Sequence, residues 1–144
     1  MGALTYVAYA PHERELAIGC DDASINSFCT RTLNRVHTKK LGDSWIACVA
    51  YSPSGNHIAV SDADGSLYIV DSESCTIIRT VVTGGPTGFS ALSYAPSGDN
   101  IAALATLRLP VADVKRLVRK SVCFSETISI SQEQVSSLMA WSWF

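Results

Sequence analysis

Short apolar runs alternate with polar, glycine-containing turns between positions 45 and 71 of the chain. The apolar runs are Ile46–Tyr51, Ile58–Val60 and Leu67–Val70, and each is shorter than a typical core helix. They are rich in β-branched and aromatic residues, which favour strands. The pattern therefore predicts three short antiparallel strands that are connected by two tight turns.

The two turns carry residues that suit a sharp change of chain direction. In the first turn Pro53 fixes its own φ, and Gly55 accepts the positive φ that most residues resist. In the second turn Asp64 and Gly65 form a pair that is typical of two-residue hairpins. The three strands are therefore expected to form a meander, in which each strand pairs with the next.

The same pattern recurs on both sides of this segment. One copy covers Tyr6–Phe28, another covers Phe89–Leu104, and Val135–Trp141 reads as the start of a fourth. A Tyr-x-Pro signature aligns the three longer copies at spacings of 42 and 43 residues. The aligned residues are Tyr9, Tyr51, Tyr94, Pro11, Pro53 and Pro96. A period of about 40–45 residues, with four short strands per unit, is typical of β-propeller blades.

At these residues the chain resembles the WD-repeat family. The segment Val49–Gly55 is similar to that family's apolar-aromatic-Ser-Pro-Asp-Gly turn. Asp22 and Asp64 occupy the place of the family's hairpin Asp, and Asp71 that of the Asp in its Trp-Asp pair. Val70 replaces the Trp, and no Gly-His precedes any copy, so the resemblance does not extend to the family's His-to-Asp hydrogen bonds.

The resemblance implies an all-β fold, an incomplete WD-repeat-like β-propeller built of four-stranded antiparallel blades. A closed ring has about 4–8 blades, so 144 residues are expected to supply only part of one. The whole chain, 1–144, is expected to be one partial propeller. Its expected parts are blade one at about 5–41, blade two at 43–83, blade three at 88–131, diverging after 105, and the start of blade four at 135–144.

Composition narrows the class of protein. Hydrophobic residues make up 47% of the chain and charged residues 17%, which predicts a globular domain. The formal net charge of −2 gives no reason to expect a nucleic-acid or membrane partner. No apolar run approaches about 18 residues, and the start of the chain has no basic segment of a signal peptide.

The polar side chains of the repeats favour structural roles over chemistry. Asp62 and Asp64 could act as a carboxylate pair for acid–base catalysis or calcium binding, but Asp in a turn more often caps its own backbone. Five cysteines without a Cys-x-x-Cys pair give no zinc spacing, and Cys20 and Cys48 read as core. No catalytic residue, metal or cofactor is therefore expected. The expected structural turn residues are Asp22, Pro53, Gly55, Asp64, Gly65, Pro96 and Gly98.

A basic run near the end of the third copy is a possible partner-binding segment. Its cations are Arg108, Lys115, Arg116, Arg119 and Lys120. An acidic partner would suit them, although a solvated face is the simpler interpretation. The stretch 109–120 fits either a short amphipathic helix or a diverged strand. Trp45, Trp141 and Trp143 could anchor an interface, or pack between blades.

Within the WD-repeat family, the segments Leu16–Ile25 and His57–Asp71 are most similar to actin-interacting members. That similarity implies a non-catalytic protein–protein interaction scaffold of the cytoplasm and cytoskeleton. It would bind actin filaments and promote their disassembly together with cofilin, by surface complementarity across blades. Two alternatives stay open. One is another WD-repeat scaffold, for ribosome assembly or as a ubiquitin-ligase adaptor. The other is a propeller hydrolase.

Overall fold

The computed structural model describes residues 2–82, 88–105 and 122–125. Residues 104–105 and 122–125 are described by their backbone only. Every regular element in these ranges is a β-strand. The strands form three antiparallel sheets, in which each strand pairs with its neighbour in sequence. The first sheet contains β1 (Leu4–Tyr9), β2 (Glu15–Cys20), β3 (Ser24–Cys29) and β4 (Arg35–Lys40). The second contains β5 (Ile46–Tyr51), β6 (His57–Asp62), β7 (Ser66–Asp71) and β8 (Ile77–Val82). The third contains β9 (Phe89–Tyr94), β10 (Asn100–Ala105) and β11 (Val122–Ser125).

The predicted fold class is confirmed, and the sequence repeat is also a repeat of strand register. Leu4 pairs with Cys20 in the first sheet, and Ile46 pairs with Asp62 at the matching place in the second. Both sheets have a β-bulge immediately after this pair. The innermost strands β1, β5 and β9 lie side by side, as strands near the axis of a propeller do.

The middle strands of the second sheet are longer than the apolar runs predict. The predicted strand Ile58–Val60 is β6, His57–Asp62, and Leu67–Val70 is β7, Ser66–Asp71. Backbone pairing continues through the polar ends, where His57 pairs with Asp71. Apolar residues in the sequence indicate the buried part of a strand, whereas the backbone hydrogen bonds to neighbouring strands determine its length.

Several sequence-based expectations lie outside the described residues. They are the alternative of a helix or strand at 109–120, the basic run 108–120, and the start of blade four at 135–144. Of the part of blade three beyond 105, the structure describes the backbone of β11.

Adjacent sheets pack with a face of large side chains against a face of small ones. The second sheet presents Val49, Tyr51, Ile58, Val60, Tyr68 and Val70 to the first sheet. The first sheet receives them with residues that include Ala8, Ala10 and Ala17. A Cβ atom on Gly19 would come within 2.4 Å of Ile46 Cγ2, so the receiving face must stay small.

The second and third sheets repeat this arrangement at the inner strands, while Leu67 and Ile69 add large side chains to the second sheet's side of the contact. Phe89, Ile101 and Ala103 are buried on the third sheet and contact Ala59 and Leu67 of the second. Ile69 is also buried in this cluster, and Leu92 and Tyr94 pack at its margin. The Cys48 thiol lies 3.8 Å from the Phe89 carbonyl oxygen, which places β5 directly against β9. The second sheet is therefore covered on both faces.

The turn between the first two strands of each repeat has the same backbone conformation in all three repeats. Its residue with positive φ is glycine in two repeats and glutamate in the other. Gly55 has a φ of 79° and Gly98 a φ of 82°, and Glu13 holds the same place in the first repeat with a φ of 57°. In each turn the amide of this residue donates to the carbonyl three residues earlier, at 2.9 Å. A residue with a Cβ atom is strained in this left-handed region, so the first repeat contains strain that the others avoid.

Replacing Glu13 with glycine should therefore stabilise the protein by about 0.5–1 kcal/mol, because the Glu13 side chain is exposed and the left-handed strain is relieved. The reverse change, Gly98→Ala, should destabilise it by about 1 kcal/mol. A Cβ atom on Gly98 would lie 3.6 Å from Pro53, so that cost is conformational and not steric.

Urea unfolding measures both effects as shifts of the midpoint at an unchanged slope. The control is Glu13→Ala, which removes the same carboxylate but keeps a Cβ atom at positive φ. If Glu13→Ala stabilises the protein as much as Glu13→Gly, the strain does not reside in the backbone.

Candidate interaction surface

The carboxylate that organises the second hairpin of the second sheet is Asp62. Its Oδ1 accepts hydrogen bonds from the amides of Asp64 at 3.1 Å and Ser66 at 2.8 Å, and its Oδ2 accepts one from the Tyr68 hydroxyl at 3.1 Å. Asp62 is buried at the end of β6, whereas Asp64 is exposed. Burial raises the pKa of Tyr68, and the Asp62 charge acts in the same direction. Tyr68 thus supplies this Asp with a donor from its own sheet.

In the first sheet, different side chains stabilise the equivalent hairpin. Cys20 occupies the place of Asp62, and its sulfur accepts a hydrogen bond from the side-chain Nδ2 of Asn26 at 3.3 Å. The Asp22 carboxylate instead accepts hydrogen bonds from the backbone amide and the hydroxyl of Ser24. It also accepts one from the Gly2 backbone amide, at 2.8 Å. The Ser24 hydroxyl is the main reason that the pKa of Asp22 is lowered. Both hairpins therefore use their polar side chains to hold the turn.

The remaining predicted turn residues lie where the chain reverses. Gly65 has a φ of 86° and is buried. Pro53 and Pro96 are exposed at the tips of their turns. Asp71 ends β7, where the amide and hydroxyl of Ser74 each donate to it at 2.8 Å and lower its pKa.

The cysteines differ in their surroundings. Cys20, Cys48 and Cys75 are buried, and burial raises the pKa of the Cys48 and Cys75 thiols. Cys29 is half-buried, and a hydrogen bond from the Thr32 hydroxyl lowers its pKa. Within the described ranges, no three His, Cys, Asp or Glu side chains stand close enough together to hold a metal ion. In the same ranges, no helix with the length and apolar character of a membrane span occurs.

The first sheet exposes apolar residues at positions that are covered in the second. Val7 is 56% exposed and Tyr9 67% exposed, while their equivalents Val49 and Tyr51 are 3% and 9% exposed. Leu16, Ile18 and Phe28 match Ile58, Val60 and Val70 and are half-buried. We call Val7, Tyr9, Leu16, Ile18 and Phe28 the open face. It is the large-residue face of the first sheet, and the second sheet covers the opposite one.

A polar groove of about 390 Å³ adjoins the open face at the outer strand β4. It is lined by Asp22, Ser24, Asn26, Arg35, Thr38 and Lys40. The buried Asn26 forms its floor and accepts a hydrogen bond from the Thr38 hydroxyl at 2.7 Å. Arg35 and Lys40 contribute two positive charges to the groove, and Asp22 contributes one negative charge. Lys40 Nζ also lies 3.6 Å from Oδ1 of the exposed Asp43. The groove is thus a polar margin to an apolar surface.

Trp45 does not fill the space between sheets. It is 50% exposed, and its carbonyl accepts the Ala63 amide at the edge of the second hairpin. The other two tryptophans and the basic run fall outside the described part of the chain. These residues are Trp141, Trp143, Arg108, Lys115, Arg116, Arg119 and Lys120.

A partial propeller is expected to leave one sheet face of its first blade uncovered, and the open face is that face. The sequence did not predict the groove. Aligning the repeats gives the signal for the open face, since Val7, Tyr9 and Leu16 match buried positions of the next copy. The groove has no such signal, because its residues come from two strands, β3 and β4, and from the hairpin before β3.

Comparison with known protein families finds one matching model. It describes the WD40 domain of anaphase-promoting complex subunit 4, and it matches residues 8–97 of this chain, well over half of its length. No curated protein matches the chain significantly. The matched region covers the open face except Val7, the interface between the first two sheets, and the turns at Pro53 and Pro96.

The two carboxylates of the second hairpin should differ sharply on mutation. Asp62→Ala should destabilise the protein by about 1–3 kcal/mol, because two backbone amides and the Tyr68 hydroxyl lose their acceptor. Asp64→Ala, in the same turn, should change stability by less than about 0.5 kcal/mol, because Asp64 is exposed. Chemical unfolding of both variants tests this contrast. Equal losses would mean that Asp62 does not organise the turn.

Proposed function

The chain belongs to the WD40-repeat family, and we propose that it is a non-catalytic subunit of a multiprotein assembly that binds a partner protein on its open face. WD40 domains serve as scaffolds for protein interaction, which is the role that the family membership supports. The proposal adds the location of the contact and the absence of a catalytic role.

The observation that carries the proposal is the exposure of Val7 and Tyr9. Large contiguous apolar surfaces on soluble proteins mark interaction sites. Burying a side chain of this size contributes about 1.5–3 kcal/mol, and Tyr is among the residues that most often dominate binding energy. The flanking residues Leu16, Ile18 and Phe28 extend the apolar area across β2 and β3.

The polar groove supports the same location. Specific interfaces commonly combine an apolar centre with a polar, solvent-accessible rim. Arg35 and Lys40 at this rim would favour an acidic residue on the partner, and Arg can bind a carboxylate through two hydrogen bonds. Outside the described residues, the basic run 108–120 remains a further proposed contact for an acidic partner.

A non-catalytic role is supported by how the carboxylates are used. Asp22, Asp62 and Asp71 each accept hydrogen bonds from nearby turn residues. A hydrolase would need at least one carboxylate free to act on substrate. The hydrolase alternative therefore receives no support from these three side chains.

The name of the matching family model favours membership in a larger complex. That model is named for a subunit of the anaphase-promoting complex, and we carry over only the idea of a subunit within a multiprotein complex. Of the alternatives that the sequence leaves open, this favours a WD-repeat scaffold, of which ribosome-assembly factors and ubiquitin-ligase adaptors are examples.

A photo-crosslinking experiment tests the proposed contact. A benzophenone amino acid at position 9 should crosslink one discrete protein in cells, whereas the same group at position 78 should not. Ile78 is the matched control because it is also exposed and apolar but lies on β8, away from the open face. The purified crosslinked partner should bind the wild-type chain in calorimetry, and Tyr9→Glu should weaken binding about tenfold or more. Equal binding by wild type and Tyr9→Glu would refute the proposal.

A second proposal is binding to actin filaments, carried by sequence similarity. The segments Leu16–Ile25 and His57–Asp71 resemble actin-interacting protein 1. The first of them contains two residues of the open face, which would then be part of the filament contact. This proposal includes a cytoplasmic, cytoskeletal location and cofilin as a second partner.

Co-sedimentation with filamentous actin tests that second proposal. The chain should pellet with filaments and should increase the amount of monomeric actin that cofilin releases, while Tyr9→Glu should pellet less and Ile78→Glu should match wild type. A chain that stays in the supernatant, with and without cofilin, would exclude actin and leave the complex-subunit proposal to the crosslinking result.

A further inference from the structure

We propose that the open face binds the small-residue face of the third sheet of a second copy of this chain, so that copies associate head to tail. This inference rests on the proposed function, because it assigns a partner to the same open face. The partner face consists of Ala91, Ser93 and Ala102, which we call the acceptor face. All three residues are exposed.

The chain contains the template for this contact twice. The large face of the second sheet packs on Ala8, Ala10 and Ala17 of the inner strands of the first sheet. The large face of the third sheet packs on Ala59 of β6, and the larger Leu67 and Ile69 of β7 complete that interface. In the first interface Val49 and Tyr51 are buried, and in the second Leu92 and Tyr94 hold the same register positions. Val7 and Tyr9 hold these positions on the open face, and the second sheet lies on the other side.

The acceptor face has the matching register on the third sheet. Ala91, Ser93 and Ala102 align with Cys48, Ala50 and Ala59 of the second sheet. There Ala59 is fully buried against the third sheet, and Cys48 lies against the Phe89 carbonyl. The strand pairing is also the same, since Ala102 pairs with Ser93 as Ala59 pairs with Ala50.

A further position defines how far this match extends. Gly19 receives Ile46 in the first interface, and the same register position is Ser61 in the second sheet and Leu104 in the third. The Leu104 side chain lies outside the described residues, so Ala91, Ser93 and Ala102 alone define the acceptor face.

The two faces of the proposed contact are different, which makes the interface heterologous. Such an interface either closes into a ring or continues as a chain of copies. Each copy would then present one open face and one acceptor face, and a change to either one should block only that side of the copy.

The first test is the mass of the 144-residue chain in solution, measured by size-exclusion chromatography with light scattering over a range of concentrations. Wild type should exceed the mass of one chain and should dissociate on dilution. Tyr9→Glu on the open face and Ala102→Arg on the acceptor face should each elute as one chain, because each puts a charge into an apolar contact. The control Ile78→Glu, on an exposed strand outside both faces, should keep the wild-type mass.

Mixing the two blocked variants gives the decisive result. Tyr9→Glu retains an intact acceptor face, and Ala102→Arg retains an intact open face, so an equimolar mixture should form a species with twice the mass of one chain. Circular dichroism melts of each variant establish that both are folded. A mixture that remains at the mass of one chain, or a wild type that is a single chain at every concentration, would overturn the inference.

The same variants separate this inference from the proposed function. Ala102→Arg leaves the open face unchanged, so it should still bind a foreign partner that was crosslinked through position 9. Loss of self-association with retained partner binding would support both statements. A wild type that never self-associates but binds the crosslinked partner would overturn only the inference. Crosslinks from position 9 that reach only a second copy of the chain would support the inference and remove the foreign partner.

Discussion

The contact between a face of large side chains and a face of small ones determines the rest of this structure. A single antiparallel sheet of this sequence has apolar residues on both faces, so it buries them only when another sheet lies on each side. Ile46 over Gly19 shows how tight this contact is, because there is no space for even one methyl group. The close spacing between the sheets and the small residues of β1 and β2 both follow from it.

The first two repeats achieve the same backbone with different local chemistry. Where the second repeat has Gly55, the first has a strained Glu13, and where the second has Asp62 with Tyr68, the first has Cys20 with Asn26. Packing conserves the register in both cases, since Leu4–Cys20 and Ile46–Asp62 are equivalent pairs. Side-chain hydrogen bonds therefore adjust to the hairpin, and the sheet interface decides where the hairpin is.

Much of the fold can be predicted from the sequence because it depends on local patterns. The Tyr-x-Pro signature at Tyr9, Tyr51 and Tyr94, together with alternating apolar runs, predicts the meanders, their period and the all-β class. The roles of single side chains depend on neighbours that are distant in sequence. The sequence does not distinguish the role of Asp62 from that of Asp64. The structure does, because the Tyr68 hydroxyl donates a hydrogen bond to Asp62. In the same way, Tyr9 and Tyr51 look identical in sequence, and only the presence of another sheet makes one exposed and the other buried.

The order of strand pairing has a consequence for how the chain folds. In the first two sheets every strand pairs with its sequence neighbour through a short turn. Docking of sheets joins residues that are farther apart along the chain, such as Cys48 and Phe89 at a separation of 41 residues. We therefore expect the first two sheets to form before they dock, so that apolar faces of both are exposed together during folding. Because the interfaces share one register, a sheet can dock on the wrong neighbour with nearly correct packing. Such misdocking would be a kinetic trap of the kind expected for repeat proteins.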